Sequence, residues 1–182
     1  MITPDRLRPY RTAAPDYAQT VRLKSDLSAL RQRRQPYFLT FSELDAIFRW
    51  KLDRQYGRQA ALRSLSSPAM YESATRACFA VVLPDIDEEA RLRLAVLIGL
   101  RGVGVPVASA ILALVESQRY CVIDFRGWAV LFESDQRQFS IEDYLHYSAE
   151  IRRLAEKLGW SVQETDMAVW HLYDVHHEKA AS

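Results

Sequence analysis

Apolar residues recur along most of the chain at spacings of three and four, which is the pattern of one buried face of an α-helix. The clearest series span residues 41–48, 92–96 and 151–158. Helix-start signals separate such series, for example the capping-box pair Thr40 and Glu43. We predict helices over residues 16–34, 41–63, 68–82, 86–99, 105–116, 126–133, 141–158 and 162–177. No segment alternates over the length of a strand, so the pattern predicts a compact all-α domain.

Length and composition fit one folded unit. The chain has 182 residues, and 49% of them are apolar, which is enough for a single buried core. The first 15 residues contain three prolines and three arginines and show no helical spacing. We therefore expect residues 1–15 to form an N-terminal arm and residues 16–182 to form a single helical domain.

Several functional classes lack the residues that their chemistry needs. Cys78 and Cys121 lie 43 residues apart, so the sequence holds no zinc quartet and no four-cysteine iron–sulfur motif. His171 and His176 are five residues apart, which does not place them on one helix face, and we expect no metal site there. The N-terminal segment lacks the apolar core of a signal peptide, and no apolar run approaches the ~20 residues that span a bilayer. We expect a cytoplasmic protein with reduced thiols and no membrane association.

The formal net charge is only +1, but the charges are distributed unevenly. Residues 1–64 contain 13 Lys and Arg against 6 Asp and Glu, a net +7, and residues 65–182 contain 11 against 17, a net −6. A basic half is typical of a surface that binds a polyanion, although ordinary solvated helix faces produce the same count. Both interpretations stay open from charge alone.

The stretch FRWKLDRQYGR, residues 48–58, mixes aromatic and basic side chains. Lys51, Arg54 and Arg58 are candidates for lining a DNA groove, and Trp50 is a candidate for stacking on an unpaired base. The alternative is a helix that buries Trp50 in the core and leaves its cations in solvent. The sequence favours neither interpretation decisively.

Three of the six glycines, Gly99, Gly102 and Gly104, fall within six residues between two predicted helices. Glycine costs about 1 kcal/mol relative to alanine inside a helix, but it permits positive φ and close backbone approach. Pro106 is acceptable in the first turn of the helix that follows. The pattern predicts a tight helix–hairpin–helix whose amides lie at a helix N-terminus, a geometry that can bind a nucleic-acid phosphate whatever the base.

The stretches LRGVGVPVASAIL and YCVIDFRGW resemble the helix–hairpin–helix plus Gly/Pro/Asp motif of the HhH-GPD DNA glycosylase superfamily. The best match is to the 8-oxoguanine glycosylase-like branch of that superfamily. The match includes the GVG turn, Asp124 at the end of an apolar run, Arg126 two residues later and Trp128 four residues later. It covers residues 98–131, and the remaining helical pattern is compatible with the helical core of that superfamily.

The resemblance implies roles for individual positions. Asp124 matches the essential carboxylate, and Arg126 matches a polar position on the DNA side. The backbone amides that match phosphate-binding positions are those of Gly102, Gly104 and Val107. The carbonyls that match positions holding a structural monovalent cation are those of Ile98, Leu100 and Val103. The resemblance implies no other cofactor.

Pro106 stands where the bifunctional members carry a nucleophilic lysine, and proline has no amine for a Schiff base. The resemblance therefore implies a monofunctional enzyme that flips out a damaged or modified base and hydrolyses its N-glycosidic bond. Asp124 would stabilise the positive charge that develops on the sugar, and it would orient or deprotonate the attacking water. Asp124 also has the position of a helix N-cap, and the two roles are compatible.

The expected partner is DNA, with no obligatory protein partner. Two biological settings stay open, namely base-excision repair and defence against phage DNA that carries modified bases. Two other functions also stay open. One is a non-catalytic helix–hairpin–helix module that binds nucleic acid, and the other is a protein adaptor. The sequence does not identify the excised base.

Overall fold

The computed structural model describes residues 2–12 and 17–180, and for residues 176–180 it describes the backbone alone. Within these ranges the chain is helical and has no strand, which confirms the all-α prediction. The α-helices described there are α1 (Pro4–Leu7), α2 (Tyr17–Arg33), α3 (Phe41–Leu52), α4 (Ala60–Arg63), α5 (Pro68–Ala80), α6 (Ile86–Ile98), α7 (Val105–Val115), α8 (Phe125–Phe132), α9 (Ile141–Leu158) and α10 (Val162–Ala180).

The helix predicted over residues 41–63 is not continuous, so that prediction is wrong in its second half. α3 ends at Leu52, and Asp53 takes a positive φ of 41°, a conformation that breaks the helix. Aspartate adopts positive φ more readily than most residues, so the break falls at a tolerant position. A 3-10 helix, Asp53–Gln59, then leads into the single turn of α4.

Residues 1–15 were expected to form an arm, but the described part of this segment, residues 2–12, folds onto the domain. α1 is followed by a 3-10 turn, Arg8–Tyr10. Leu7 is fully buried and Ile2 is 8% exposed, so both belong to the hydrophobic core. α1 packs against α9 and α10. Residues 1 and 13–16 lie outside the described part of the chain.

α7 is the central helix of the fold. Nine of its 11 residues are buried, and it packs against α2, α3, α6 and α9. α7 is followed by a link, residues 116–123, which starts with a turn over residues 116–119. α8 comes after this link and packs against α9 and α10. The contacts of α7 with four other helices fix the position of its first turn and of the glycine-containing turn before it.

A buried network of charges fixes the other end of α7. Arg93 on α6 is 1% exposed and contacts Glu89 at 3.2 Å and Glu116 at 2.9 Å. Arg31 from α2 also contacts Glu116, at 2.5 Å, and Arg119 contacts Glu89 at 2.8 Å. A buried charge is costly unless it is paired, and here each carboxylate has more than one cationic partner. The network connects α2 and α6 to Glu116, the first residue of the link after α7.

Candidate active site

The turn between α6 and α7, residues 99–104, forms the hairpin. Gly102 adopts φ +76°, the left-handed region that favours glycine. A Cβ atom at Gly102 would also lie 3.3 Å from the backbone nitrogen of Arg63 and from the carbonyl oxygen of Gln59. The hairpin therefore packs directly against Gln59 and the last residue of α4, which explains why this position needs glycine. Gly99 and Gly104 have ordinary negative φ values of −64° and −94°.

The backbone groups of the hairpin are partly engaged. The amide of Val107 donates to the carbonyl of Gly104 at 3.0 Å, and the amide of Val103 donates to the carbonyl of Leu100 at 3.1 Å. In the part of the chain that the structure describes, the amides of Gly102 and Gly104 donate to no other residue. Of the three amides predicted to bind phosphate, two are thus available, and the third is already used within the first turn of α7.

The carbonyls predicted to hold a cation differ in their surroundings. The carbonyl of Leu100 already accepts the hydrogen bond from Val103, although a carbonyl oxygen has a second lone pair. The side chains of Leu100 and Val103 are buried, whereas Ile98 is 37% exposed. These three residues thus span the end of α6 and the hairpin, and the cation stays a prediction.

Asp124 is fastened to the helix that follows the hairpin. The amide of Ile123 donates to the hydroxyl of Ser109 on α7 at 3.2 Å, and that hydroxyl donates to the carbonyl of Pro106 at 2.9 Å. This short chain of hydrogen bonds connects the first turn of α7 to the residue before Asp124. The hairpin and Asp124 are therefore connected through α7 by hydrogen bonds.

The carboxylate of Asp124 caps α8, as predicted. Its Oδ1 atom accepts from the amides of Arg126 at 3.0 Å and Gly127 at 3.1 Å. These bonds satisfy amides that have no partner inside the helix, and they fix the orientation of the carboxylate. The second oxygen, Oδ2, takes no part in the cap.

The second oxygen of Asp124 faces Lys51, a residue 73 positions earlier in the chain. The Nζ atom of Lys51 lies 3.2 Å from Oδ2, and the two side chains are 12% and 17% exposed. Lys51 reaches this position because α3 packs against α7. Lys51 was a candidate for lining a DNA groove together with Arg54 and Arg58. The structure pairs it with Asp124, and its contact with DNA stays a prediction.

The other basic candidates lie outside this pair. Arg54 and Arg58 are exposed on the 3-10 helix after α3, and in the described residues neither pairs with an acidic side chain. Arg101 in the hairpin, which the sequence analysis did not name, is also exposed and has no acidic partner among the described residues. Arg126 lies 3.4 Å from Asp174 and stacks over the ring of Trp170 at 4.4 Å.

Trp50 has a packing role. Its ring is partly buried against the core, and its indole nitrogen donates to the hydroxyl of Thr20 on α2 at 2.9 Å. This arrangement fits the alternative in which Trp50 belongs to the core. Stacking of Trp50 on an unpaired base stays a prediction.

Asp166 on α10 contacts the link before Asp124, and it was not among the predicted site residues. Its carboxylate accepts from the amide of Val122 at 2.8 Å and from the hydroxyl of Tyr147 at 2.5 Å. It is 4% exposed, and burial raises the pKa of Asp166 to about 7. No local pattern in the sequence singles out Asp166, because it follows the polar residues Gln163, Glu164 and Thr165.

In the ranges that the structure describes, no group of three or more His, Cys, Asp or Glu side chains could hold a metal ion. His176 is among the residues of which only the backbone is described. None of the helices described is both long and apolar enough to cross a bilayer. Comparisons with family models, with curated proteins and with solved structures found no match to this chain.

Proposed function

We propose that this protein is a monofunctional DNA glycosylase with a helix–hairpin–helix core, and that Asp124 is its catalytic carboxylate. One observation carries the proposal. Through Ser109, hydrogen bonds connect the first turn of α7 to the link that ends at Asp124. A phosphate bound at the hairpin and a sugar placed at Asp124 would thus be held by one rigid unit, as a reaction on a nucleotide requires.

Asp124 has a suitable geometry for the chemistry. Hydrolysis of an N-glycosidic bond builds positive charge on the sugar, and a nearby carboxylate stabilises that charge. The cap on α8 holds Oδ1 in place, which leaves Oδ2 to face the reacting sugar or the attacking water. Lys51 is paired with this oxygen, so the entering nucleotide would have to displace or share that contact.

DNA binding would use the hairpin and the basic side chains beside it. The amides of Gly102 and Gly104 can donate to a phosphate, which contributes affinity for DNA that does not depend on the base sequence. Arg54, Arg58 and Arg101 are exposed, and as unpaired cations they are available to further phosphates. The target base must leave the stack, at a cost of a few kcal/mol, before Asp124 can reach its sugar.

The experiment that tests this proposal measures abasic sites. The purified protein is incubated with DNAs that carry oxidised, alkylated, deaminated or phage-type modified bases, and alkali-labile sites are counted. We expect wild-type protein to produce such sites in at least one DNA, and Asp124→Asn to produce none while still binding. Asn caps a helix about as well as Asp, so the variant should fold.

Asp85 offers a matched control. It caps α6 through the amides of Asp87 at 2.8 Å and Glu88 at 3.0 Å, and it is exposed. Asp85→Asn makes the same chemical change at a cap outside the proposed site, and we expect it to keep wild-type turnover. Equal activity of the Asp124→Asn and wild-type proteins would remove Asp124 from the mechanism. Binding by wild-type protein without excision of any base would favour the non-catalytic module.

The Lys51–Asp124 pair favours a second candidate activity, strand cleavage by an amine. Pro106 removes the amine that the resemblance expects, but Lys51 brings an amine to within 3.2 Å of the same carboxylate. Borohydride trapping during turnover separates the two activities. We expect no covalent protein–DNA adduct. Lys157 is exposed and serves as a control. A trapped adduct that is lost in Lys51→Gln and kept in Lys157→Gln would establish the lyase instead.

A further inference from the structure

The two chain segments on either side of Asp124 converge on one buried pair of side chains, Asp166 and Tyr147. The segment before Asp124 is held by Asp166, because the amide of Val122 donates to its Oδ2 atom at 2.8 Å. The other oxygen of Asp166 accepts from the hydroxyl of Tyr147 at 2.5 Å. Both side chains are almost completely buried, at 4% and 0% exposure. The pair therefore fixes the link two residues before the proposed catalytic carboxylate.

The segment after Asp124 rests on the same hydroxyl. A Cβ atom added to Gly127 would lie 2.1 Å from the Tyr147 hydroxyl oxygen, so the first turn of α8 sits directly on that group. The amide of Gly127 is one of the two that hold Oδ1 of Asp124. The position of the Tyr147 hydroxyl thus sets the position of an amide that orients Asp124.

The hydrogen-bond pattern fits the ionised form of Asp166 best. An ionised carboxylate accepts at both oxygens, which matches the two bonds from Val122 and Tyr147. Protonation places a hydrogen on one oxygen and makes that oxygen a weaker acceptor, so it weakens or reorients one of the two bonds. The ionised form therefore holds the surrounding backbone more firmly than the protonated form.

The charged and titratable groups around Asp166 come from four other elements. The pKa of Asp166 is raised to about 7. Burial is the largest cause, the hydrogen bonds from Tyr147 and Val122 oppose it, the charge of Asp124 adds to it and the charge of Lys51 opposes it. Tyr147 and Cys121 also face it, and burial raises the pKa of each well above its ordinary value. Both therefore stay protonated near neutral pH, and among the three buried groups only Asp166 changes charge there.

We propose that Asp166 and Tyr147 form a positioning pair that fixes the orientation of the Asp124 carboxylate, and that the ionised form of Asp166 is the form that does so. The proposal rests on the glycosylase function proposed above, because an orientation matters only for a reaction at Asp124. It adds a regulation of that function: excision should depend on a deprotonation at a buried residue that does not touch the substrate.

The first test needs no substrate and no variant. The carboxyl carbon of Asp166 and the amides of Val122 and Gly127 are followed by nuclear magnetic resonance in the labelled full-length protein between pH 5 and pH 9. We expect the three signals to share one transition with a midpoint of about 7. Amides that do not follow the carboxyl carbon would overturn the proposal, whether or not any DNA is cleaved.

The second test measures excision at saturating DNA across the same pH range. Wild-type kcat should rise as pH increases through about 7, and the Asp166→Asn variant should lose that dependence. A small displacement of a catalytic group costs on the order of 100-fold in rate. We therefore expect the kcat of Asp166→Asn to be lower than that of the wild type by up to about 100-fold, and its KM to stay within about twofold of the wild-type value. Asp166→Glu, which keeps an ionisable carboxyl, should recover the pH dependence.

Tyr147→Phe provides a variant that removes one oxygen atom and keeps the buried ring, so it serves even where Asp166→Asn fails to fold. We expect it to lower kcat and to leave DNA affinity unchanged. Wild-type kcat and an unchanged pH profile in folded Tyr147→Phe and Asp166→Asn would overturn the positioning role, and the glycosylase proposal would stand. Absence of excision by wild-type protein would instead remove the proposed function, and the shared resonance transition would still decide whether the pair controls the backbone around Asp124.

Discussion

Gly127 is the position at which a single methyl group tests the packing of the proposed site. In the first turn of α8 its missing side chain leaves room for the hydroxyl of Tyr147. A Cβ atom there would lie 2.1 Å from the hydroxyl oxygen and 2.9 Å from the ring carbon that carries it. The Tyr147 ring is fully buried and its hydroxyl donates to Asp166 at 2.5 Å, so a shift of the ring that makes room for a Cβ atom would disturb that hydrogen bond.

The expected sign of Gly127→Ala follows from two opposing effects. Alanine is favoured over glycine in a helix by about 1 kcal/mol, which would stabilise the variant. Overpacking a core typically costs about 1 to 3 kcal/mol, and a buried acceptor left without its donor costs about 1 to 3 kcal/mol more. We therefore expect Gly127→Ala to lower the free energy of unfolding by about 1 to 5 kcal/mol.

Thermal unfolding followed by circular dichroism measures this effect. For a chain of this size each kcal/mol shifts Tm by about 2 to 4 °C. Gly57→Ala is the matched control, because a Cβ atom there would have no atom within 4 Å, and we expect its Tm to be unchanged or raised. In a Tyr147→Phe background, Gly127→Ala should cost at least about 1 kcal/mol less than in the wild type. A wild-type Tm for Gly127→Ala, or an equal cost in both backgrounds, would refute the reasoning.

Two further predictions concern DNA binding, and a third concerns the packing of Trp50. Gly104→Glu should lower DNA affinity without loss of helicity, since it adds bulk and negative charge beside the hairpin amides, and unchanged affinity would remove the hairpin from DNA binding. Replacing Arg54 and Arg58 with alanine should flatten the slope of log affinity against log salt by roughly 2, because each phosphate contact contributes about −0.9, and an unchanged slope would place these residues away from DNA. Trp50→Ala should lower thermal stability because the indole packs on the core. A loss of excision at unchanged stability would support base stacking instead.

Local patterns in the sequence were sufficient to predict much of the fold. The capping pair at Thr40 and Glu43, the turn at the hairpin glycines and the cap at Asp124 depend on residues close together in the chain. Such short-range features determine where a helix begins and ends. The break at Asp53 was missed because apolar and basic residues continue past it and an aspartate alone does not signal a positive φ.

The composition of the site could be predicted only where its residues are neighbours in sequence. Asp124 and the hairpin were found because a fixed spacing connects them. Lys51 was assigned to a groove because no local pattern indicates that α3 packs on α7 and brings its amine to Asp124. Asp166 and Tyr147 approach the same site from two later helices, and each reads in the sequence as an ordinary polar residue.

The release of a free base is the most direct measurement of the central claim. A duplex with one modified base is incubated with wild-type protein under single-turnover conditions, and both the liberated base and the strand length are determined by mass spectrometry. We predict that the base is released in an amount equal to the abasic sites formed, that the strand stays intact before alkali treatment, and that Asp124→Asn releases none. Release of equal amounts by Asp124→Asn, or no release from any modified DNA that the wild-type protein binds, would contradict the account.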